Sequence, residues 1–257
     1  MANNNLIVIP TYNEAGSITR TVETIFRCEV PSLGILIVDD QSPDGTGDIA
    51  DVLSVQYPGR VTVCHRNGER GLGNAYKAGF LQALAMDAEV IVQMDADGSH
   101  APEYLPGMLD QIKRFDVVIG SRYSSGGGVD PQWGLGRRIL SRVANLYSRL
   151  VLGATIRDMT GGYKCFSRYA LEKIAPESLA SRGYIFQVEV NHILYKLGLK
   201  VIEVPIIFRP RLTGVSKMSL GVALEGLVRV WRLRSKYGSD RRRSSNILTQ
   251  RGPHEKD

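Results

Sequence analysis

The first half of the chain alternates between short apolar runs and longer amphipathic stretches. Residues 6–10 read LIVIP, apolar throughout, as expected of a strand covered on both faces. A helical pattern follows from Glu14 to Cys28, with Asn13 as its expected N-cap. ILIVDD (35–40) predicts a second strand, and DGTGDIADVLSVQ a turn and a helix. VTVCHR (61–66) predicts a third strand, followed by a helix over 73–87. EVIVQMDAD (89–97) predicts a fourth strand, 102–115 a helix, and DVVIGSR (116–122) a fifth strand. This alternation predicts βαβ units, and so an α/β fold with a mostly parallel sheet flanked by helices. In open sheets of this kind ligands bind beyond the carboxyl ends of the strands. PTYNE, DD, DAD and GSRY close strands one, two, four and five, so these four polar clusters are expected to face one crevice.

The pattern changes after Ser124. SSGGGVDPQWG (124–134) reads as a loop. Helices are expected over 137–152, 184–198 (ending at a glycine cap) and 219–237. DMTGGYKCF (158–166) reads as a loop entering a strand, and KVIEVPIIFRP (200–210) as a strand. Residues 1–237 form the expected domain, and the polar tail 238–257 is expected to be disordered. Gln187 and Glu189 interrupt an otherwise apolar helix; they either line a ligand or are satisfied by local hydrogen bonds.

Composition narrows the class. At 257 residues and 43% hydrophobic, the chain can bury a full core. A net charge of +6 fits an anionic partner or simply a soluble basic surface. Cys28, Cys64 and Cys165 have no paired spacing, which reads as reduced thiols rather than a zinc site. The start MANNN lacks a signal-peptide pattern. No stretch approaches the roughly 18 to 20 apolar residues of a membrane span, since 222–231 is broken by Glu225 and Arg229. A soluble or peripheral cytoplasmic protein is expected.

The candidate chemistry lies in the acids. An Asp-x-Asp at a strand end is often a turn former or helix cap. Here Asp95 and Asp97 end one expected strand while Asp39 and Asp40 end another. Crowded carboxylates repel, and a divalent cation relieves that cost. Magnesium takes one or two carboxylates and completes its shell with water and phosphates. No Walker sequence is present, and GLGNAY (71–76) fails as a dinucleotide fingerprint because Tyr76 replaces the last glycine.

PTYNE, VDDQSPDGT, RGLGNAY, MDADGSH, GSRY, RDMTGGYKCF, GYIFQVE and RLTGVSK occur in this order. Together they resemble the polyprenyl-phosphate (dolichol-phosphate-type) mannose synthases of glycosyltransferase family 2, from about residue 6 to about residue 220. The resemblance implies a GT-A fold, a GDP-mannose donor, a polyprenyl monophosphate acceptor, and Mg2+ or Mn2+. It implies donor contacts at Pro10, Tyr12, Glu14, Val38, Asp40, Asp95, Ala96 and Asp97. Metal ligation falls to Asp97 with Asp95, and to Ser99 where the family commonly has Gln or Ser. His100 reads equally as a partner behind the ligands or as structural. Arg122, Arg137, Arg211 and Lys217 match basic positions and are the expected grip on the acceptor phosphate. Asp97, Arg122, Arg211 and Lys217 are the expected catalytic set.

A phosphate monoester has a second pKa of about 6, so the nucleophile arrives ionised and inverting transfer needs no general base. Helix 219–237 carries Leu220, Leu224, Leu227, Val228 and Trp231 among basic residues, so it reads either as an interfacial amphipathic helix or as an ordinary packed one. The resemblance adds peripheral attachment at the cytoplasmic membrane face and a separate integral membrane subunit, with no nucleic acid. UDP-glucose as donor, a sugar-phosphate nucleotidyltransferase and a non-catalytic subunit are the competing readings.

Overall fold

The computed structural model describes residues 4–183, 185–210, 220–238 and 247–249. Its strands are β1 (Asn5–Thr11), β2 (Leu33–Asp39), β3 (Val61–His65), β4 (Val90–Gln93), β5 (Val117–Ser121), β6 (Gly128–Val129), β7 (Lys164–Ser167), β8 (Val201–Pro205), β9 (Ile207–Phe208) and β10 (Ile247–Thr249). The helices are α1 (Ile18–Phe26), α2 (Thr46–Gln56), α3 (Leu72–Ala85), α4 (Leu105–Gln111), α5 (Leu135–Leu152), α6 (Arg168–Ile174), α7 (Ile185–Leu197) and α8 (Leu220–Tyr237).

Among the described residues the main sheet runs β10-β8-β5-β7-β4-β1-β2-β3. Successive side chains of a strand point to opposite faces. Thus Ile7 and Ile9 of β1 face the core shared with α1, α2 and α4. Leu6 and Val8 face the core shared with α3, α6 and α7. Both faces are covered, which is why the strands are apolar at nearly every position. Gly79 of α3 lets the helix lie on β1, because a Cβ there would collide with Val8 and press on Val38.

The chain steps from β1 to β2 to β3, then returns to place β4 on the other side of β1. The gap between the ends of β1 and β4 is therefore a topological switch point, where such sheets bind ligands. Among the described residues β7 is the antiparallel member, inserted between β4 and β5.

Several expectations shift. The N-cap position of the first helix is Ser17, which makes no side-chain capping bond, and not Asn13, which sits at φ 59°. The expected strand 200–210 divides: β8 joins the main sheet, while β9 pairs with β6 of the glycine-rich loop. Ile247–Thr249 forms an edge strand beside β8, so this part of the expected disordered tail belongs to the sheet.

Candidate functional site

A cleft of about 360 Å³ opens at the switch point. Pro10, Tyr12 and Glu14 reach it from the end of β1, Asp40 from β2, and Asp95, Ala96 and Asp97 from β4. Thr11, Arg70, Gly71, Leu72, Ala75 and Gly183 complete its lining.

The two acidic strand ends are held differently. Asp39 points into the protein, accepting from Thr11 Oγ1 (3.2 Å) and from the Ser42 amide (3.1 Å). Asp40 accepts the Gly71 amide at 2.7 Å and pairs with Arg66. It thereby fastens the turn before α3 to the end of β2. Arg70 donates to the Tyr12 hydroxyl at 2.7 Å, its guanidinium 5.2 Å from the ring centre.

On β4's side, Asp95 Oδ1 accepts from the Tyr76 hydroxyl at 2.7 Å. Asp95 Oδ2 lies 3.9 Å from His100 Nε2, and the Asp95 amide donates to His100 Nδ1 at 3.0 Å. Burial drives the His100 pKa down, against the pull of Asp95 and Asp97. A neutral imidazole accepting at Nδ1 carries its proton on Nε2, toward Asp95. Burial, reinforced by Asp95, raises the Tyr76 pKa, so the phenol remains a donor. Asp97 Oδ1 accepts the Ser99 amide (3.0 Å) and hydroxyl (2.5 Å). Ser99 is fully buried, and in this arrangement its hydroxyl braces Asp97.

Asp95 and Asp97 offer only oxygen atoms, on two carboxylates separated by Ala96, each accepting a hydroxyl bond. Among the described residues no cluster of three His, Cys, Asp or Glu exists that would cage a metal. Such a site suits a hard divalent cation whose remaining positions go to water and phosphate, and not a structural zinc.

Val38 and Arg122 lie apart from the lining of this cleft. The Val38 side chain is fully buried in the core beside α3, not in the cleft. Arg122 is 8% exposed and committed to Asp158, with Nε and Nη2 donating at 2.8 and 2.7 Å. Burial opposes both charges, but the pairing outweighs it, holding the Asp158 pKa low and Arg122 protonated. Arg122 is thus a structural clamp joining the end of β5 to the 158–160 turn, and a second donation from Nη2 to Thr160 at 2.8 Å reinforces it. Arg137 stacks on Trp133, its guanidinium 3.9 Å from the ring centre. Arg211 and Lys217 lie outside the described residues.

The sequence pattern assigned no role at the site to Tyr76, Arg66, Arg70, Asp158 or Lys164. Lys164 is fully buried, donating to Gly161 O (2.5 Å) and Gln187 Oε1 (2.6 Å). Burial pushes its pKa down to about 7. Gln93 shares the same Gln187 oxygen at 2.8 Å. Gln187 is therefore satisfied locally and does not line the cleft.

A mostly parallel sheet covered by helices on both faces, with paired acids at its switch point, is the GT-A type of fold. Residues 6–175 match the model of glycosyl transferase family 2, and the chain belongs to that family. It is 45% identical over 234 residues to the polyprenol monophosphomannose synthase of Mycolicibacterium smegmatis, covering 90% of this chain and 88% of that one. It is 44% identical over 227 residues to the undecaprenyl-phosphate mannosyltransferase of Micrococcus luteus, covering 88% and 92% respectively. Among solved structures it superposes on the Mycobacterium tuberculosis glucosyl-3-phosphoglycerate synthase bound to Mn2+, UDP and phosphoglyceric acid. That match has a TM-score of 0.64 and 16% identity, over 93% of this chain and 80% of that one. The Pyrobaculum calidifontis mannosyltransferase PcManGT, bound to GDP-Man and Mn2+, matches with a TM-score of 0.62 and 17% identity, over 92% and 65%. At that identity these two establish the shared fold. The chain is a glycosyltransferase.

Proposed function

We propose that this enzyme transfers mannose from GDP-mannose to a membrane polyprenyl monophosphate, with inversion at the sugar carbon. The observation that carries the reading is the likeness, along nine-tenths of the chain, to two enzymes named for mannosyl transfer to a polyprenyl phosphate. Tyr12 and Asp40 line the cleft where a base and ribose would lie, with Pro10, Glu14 and Ala96 shaping its walls. Asp95 and Asp97 would hold a divalent cation, magnesium or manganese, whose chemistry there is to neutralise charge gathering on the leaving diphosphate. Tyr76 and Ser99 each hold one oxygen of these carboxylates, and His100 holds the Asp95 backbone, so the pair is positioned by groups around it.

The acceptor phosphate, with a second pKa of about 6, is ionised at neutral pH. It needs cations to counter its repulsion from the donor diphosphate more than it needs a base. Arg137, Arg211 and Lys217 are assigned that role. Attack from the face opposite the departing diphosphate inverts the anomeric configuration.

The acceptor is a lipid, and the surface offers a seat for a bilayer. No helix among the described residues is long and apolar enough to cross a membrane. On α5, however, Leu135, Ile139, Val143, Leu146 and Leu150 form an exposed stripe at helical spacing. Leu227, Val228 and Trp231 of the neighbouring α8 are exposed as well. Helix α5 carries four arginines and no acid. An apolar stripe with basic flanks suits the anionic headgroups of a cytoplasmic leaflet, so peripheral attachment there, aided by an integral membrane subunit, belongs to the same reading.

The test is labelled GDP-mannose with polyprenyl phosphate, with and without chelator, scoring label in the organic phase. Metal-dependent label in that phase is expected. Label from UDP-glucose but not from GDP-mannose would reassign the donor. Arg211→Ala is expected to weaken use of the lipid phosphate far more than nucleotide binding.

A further inference from the structure

The segment 178–183 touches both the cleft and α8. Toward the cleft, Gly183 is part of the lining. The Arg182 carbonyl accepts the Gly73 amide at 2.7 Å, and Arg182 pairs with Glu69. The approach is so close that a Cβ at Gly71 or Gly73 would collide with the carbonyls of Arg182 and Ser181. Residues 181–182 are thus packed on and bonded to the 71–73 turn, whose Gly71 amide is held by Asp40 at 2.7 Å.

Away from the cleft, the same segment ends on one carboxylate. Glu189 of α7 is fully buried and accepts the amides of Ala180 (3.1 Å) and Ser181 (2.8 Å). Its Oε1 also accepts the hydroxyl of Tyr237, the last residue of α8, at 2.7 Å. Lys236 of α8 stands 3.7 Å from the same oxygen and donates to Ser178 O at 3.3 Å. Burial would raise the Glu189 pKa, but these hydrogen bonds outweigh it and keep the group ionised. One ionised carboxylate thus joins α8 to the wall of the cleft, through Tyr237–Glu189–Ser181, the backbone to Arg182, the Arg182–Gly73 bond, and the backbone from Gly73 to Gly71, which Asp40 holds.

We propose that Glu189 is a positioning residue for the nucleotide cleft, seated by Tyr237, so that the docking of α8 sets nucleotide affinity. The identity of the nucleotide rests on the donor reading above; the coupling does not. By linkage, whatever favours the seated α8 strengthens nucleotide binding, and bound nucleotide favours the seated helix by the same factor. Because α8 belongs to the surface assigned to the membrane, donor binding and surface docking reinforce each other.

Tyr237→Phe removes a single hydroxyl and keeps the ring, so it tests the link without threatening the fold; its melting temperature is measured alongside. In ligand-free protein, amide exchange at Gly71, Gly73 and Ser181 is expected to accelerate. The Kd for GDP with Mn2+ is expected to rise about fivefold, while kcat at saturating donor changes less than about twofold, a split that general destabilisation does not produce. Glu189→Gln is expected to act in the same direction and more strongly. The double variant should be no worse than Glu189→Gln alone, since both act through one carboxylate. Unchanged exchange at Gly71 and Gly73 in both variants overturns the proposal, as do fully additive losses. Failure of wild-type protein to bind GDP overturns the donor assignment instead, and the exchange comparison, run without ligand, still decides the coupling.

Discussion

Tyr76 donates a 2.7 Å hydrogen bond to Asp95 from a fully buried ring stacked 5.7 Å from Phe186. The phenol fixes one carboxylate oxygen and thereby the direction of the other. Groups behind a metal ligand typically change metal affinity by about 10–100-fold when removed. Tyr76→Phe keeps the stacked ring, so Mn2+ affinity in the presence of GDP, read by paramagnetic resonance, is expected to fall about tenfold with little change in melting temperature. Unchanged Mn2+ affinity would show that Asp95 does not need the phenol.

Asp97→Ala is expected to abolish transfer while leaving the circular dichroism of the fold intact. Its Oδ1 bonds to Ser99 reach only two residues along the chain. Normal turnover by this variant would refute metal ligation at Asp97.

Arg122 and Asp158 are both buried and bonded two-pronged to each other. Removing one partner strands a buried charge, at a cost of about 3–5 kcal/mol. Asp158→Ala is therefore expected to lose that much in urea unfolding. A loss under about 1 kcal/mol, on the scale of an exposed pair, would return Arg122 to the candidates for acceptor binding.

His192 of α7 is buried and its pKa is pushed down to about 4, by burial first and then by Lys196. The unfolded chain binds the imidazole proton near pH 6.5, the folded one only near 4. Between those values the unfolded state holds more protons, so stability falls as pH drops from about 6.5 toward 4. His192→Leu is expected to flatten the denaturation-midpoint profile in that window. A profile identical to wild type would place the acid sensitivity elsewhere.

The stripe on α5 predicts vesicle binding. Ile139→Glu with Leu146→Glu puts two charges on the apolar face without touching the cleft. Flotation with anionic vesicles at low salt is expected to drop about tenfold or more, with GDP affinity unchanged. Wild-type protein that stays in solution would exclude direct surface binding.

What the sequence made legible follows from range. LIVIP and ILIV read as buried strands because every position is apolar, and acids closing such strands stand out locally. That locality put Asp40, Asp95 and Asp97 on one crevice before any coordinates. Arg122 was legible as a cation but not as a committed one, because Asp158 lies 36 residues further on. Tyr76 drew notice only for breaking a glycine pattern; its bond to Asp95 spans 19 residues. The five-residue stripe on α5 carries the same periodicity whether its face is covered or bare, so exposure had to come from the packing. Glu189 was recognisable as out of place in an apolar helix, and three donors from two separate segments explain why it is tolerated there.

The insertion of β7 between β4 and β5 bears on biosynthesis. Strands β1 to β4 emerge from the ribosome first and can pair among themselves, leaving β4 as an unpaired border. That border is sealed only when Lys164–Ser167 has been translated, after β5 and α5. A nascent chain stalled before residue 164 would therefore expose the strand leading to Asp95, an adhesive template for other chains, and would be a natural client for chaperones.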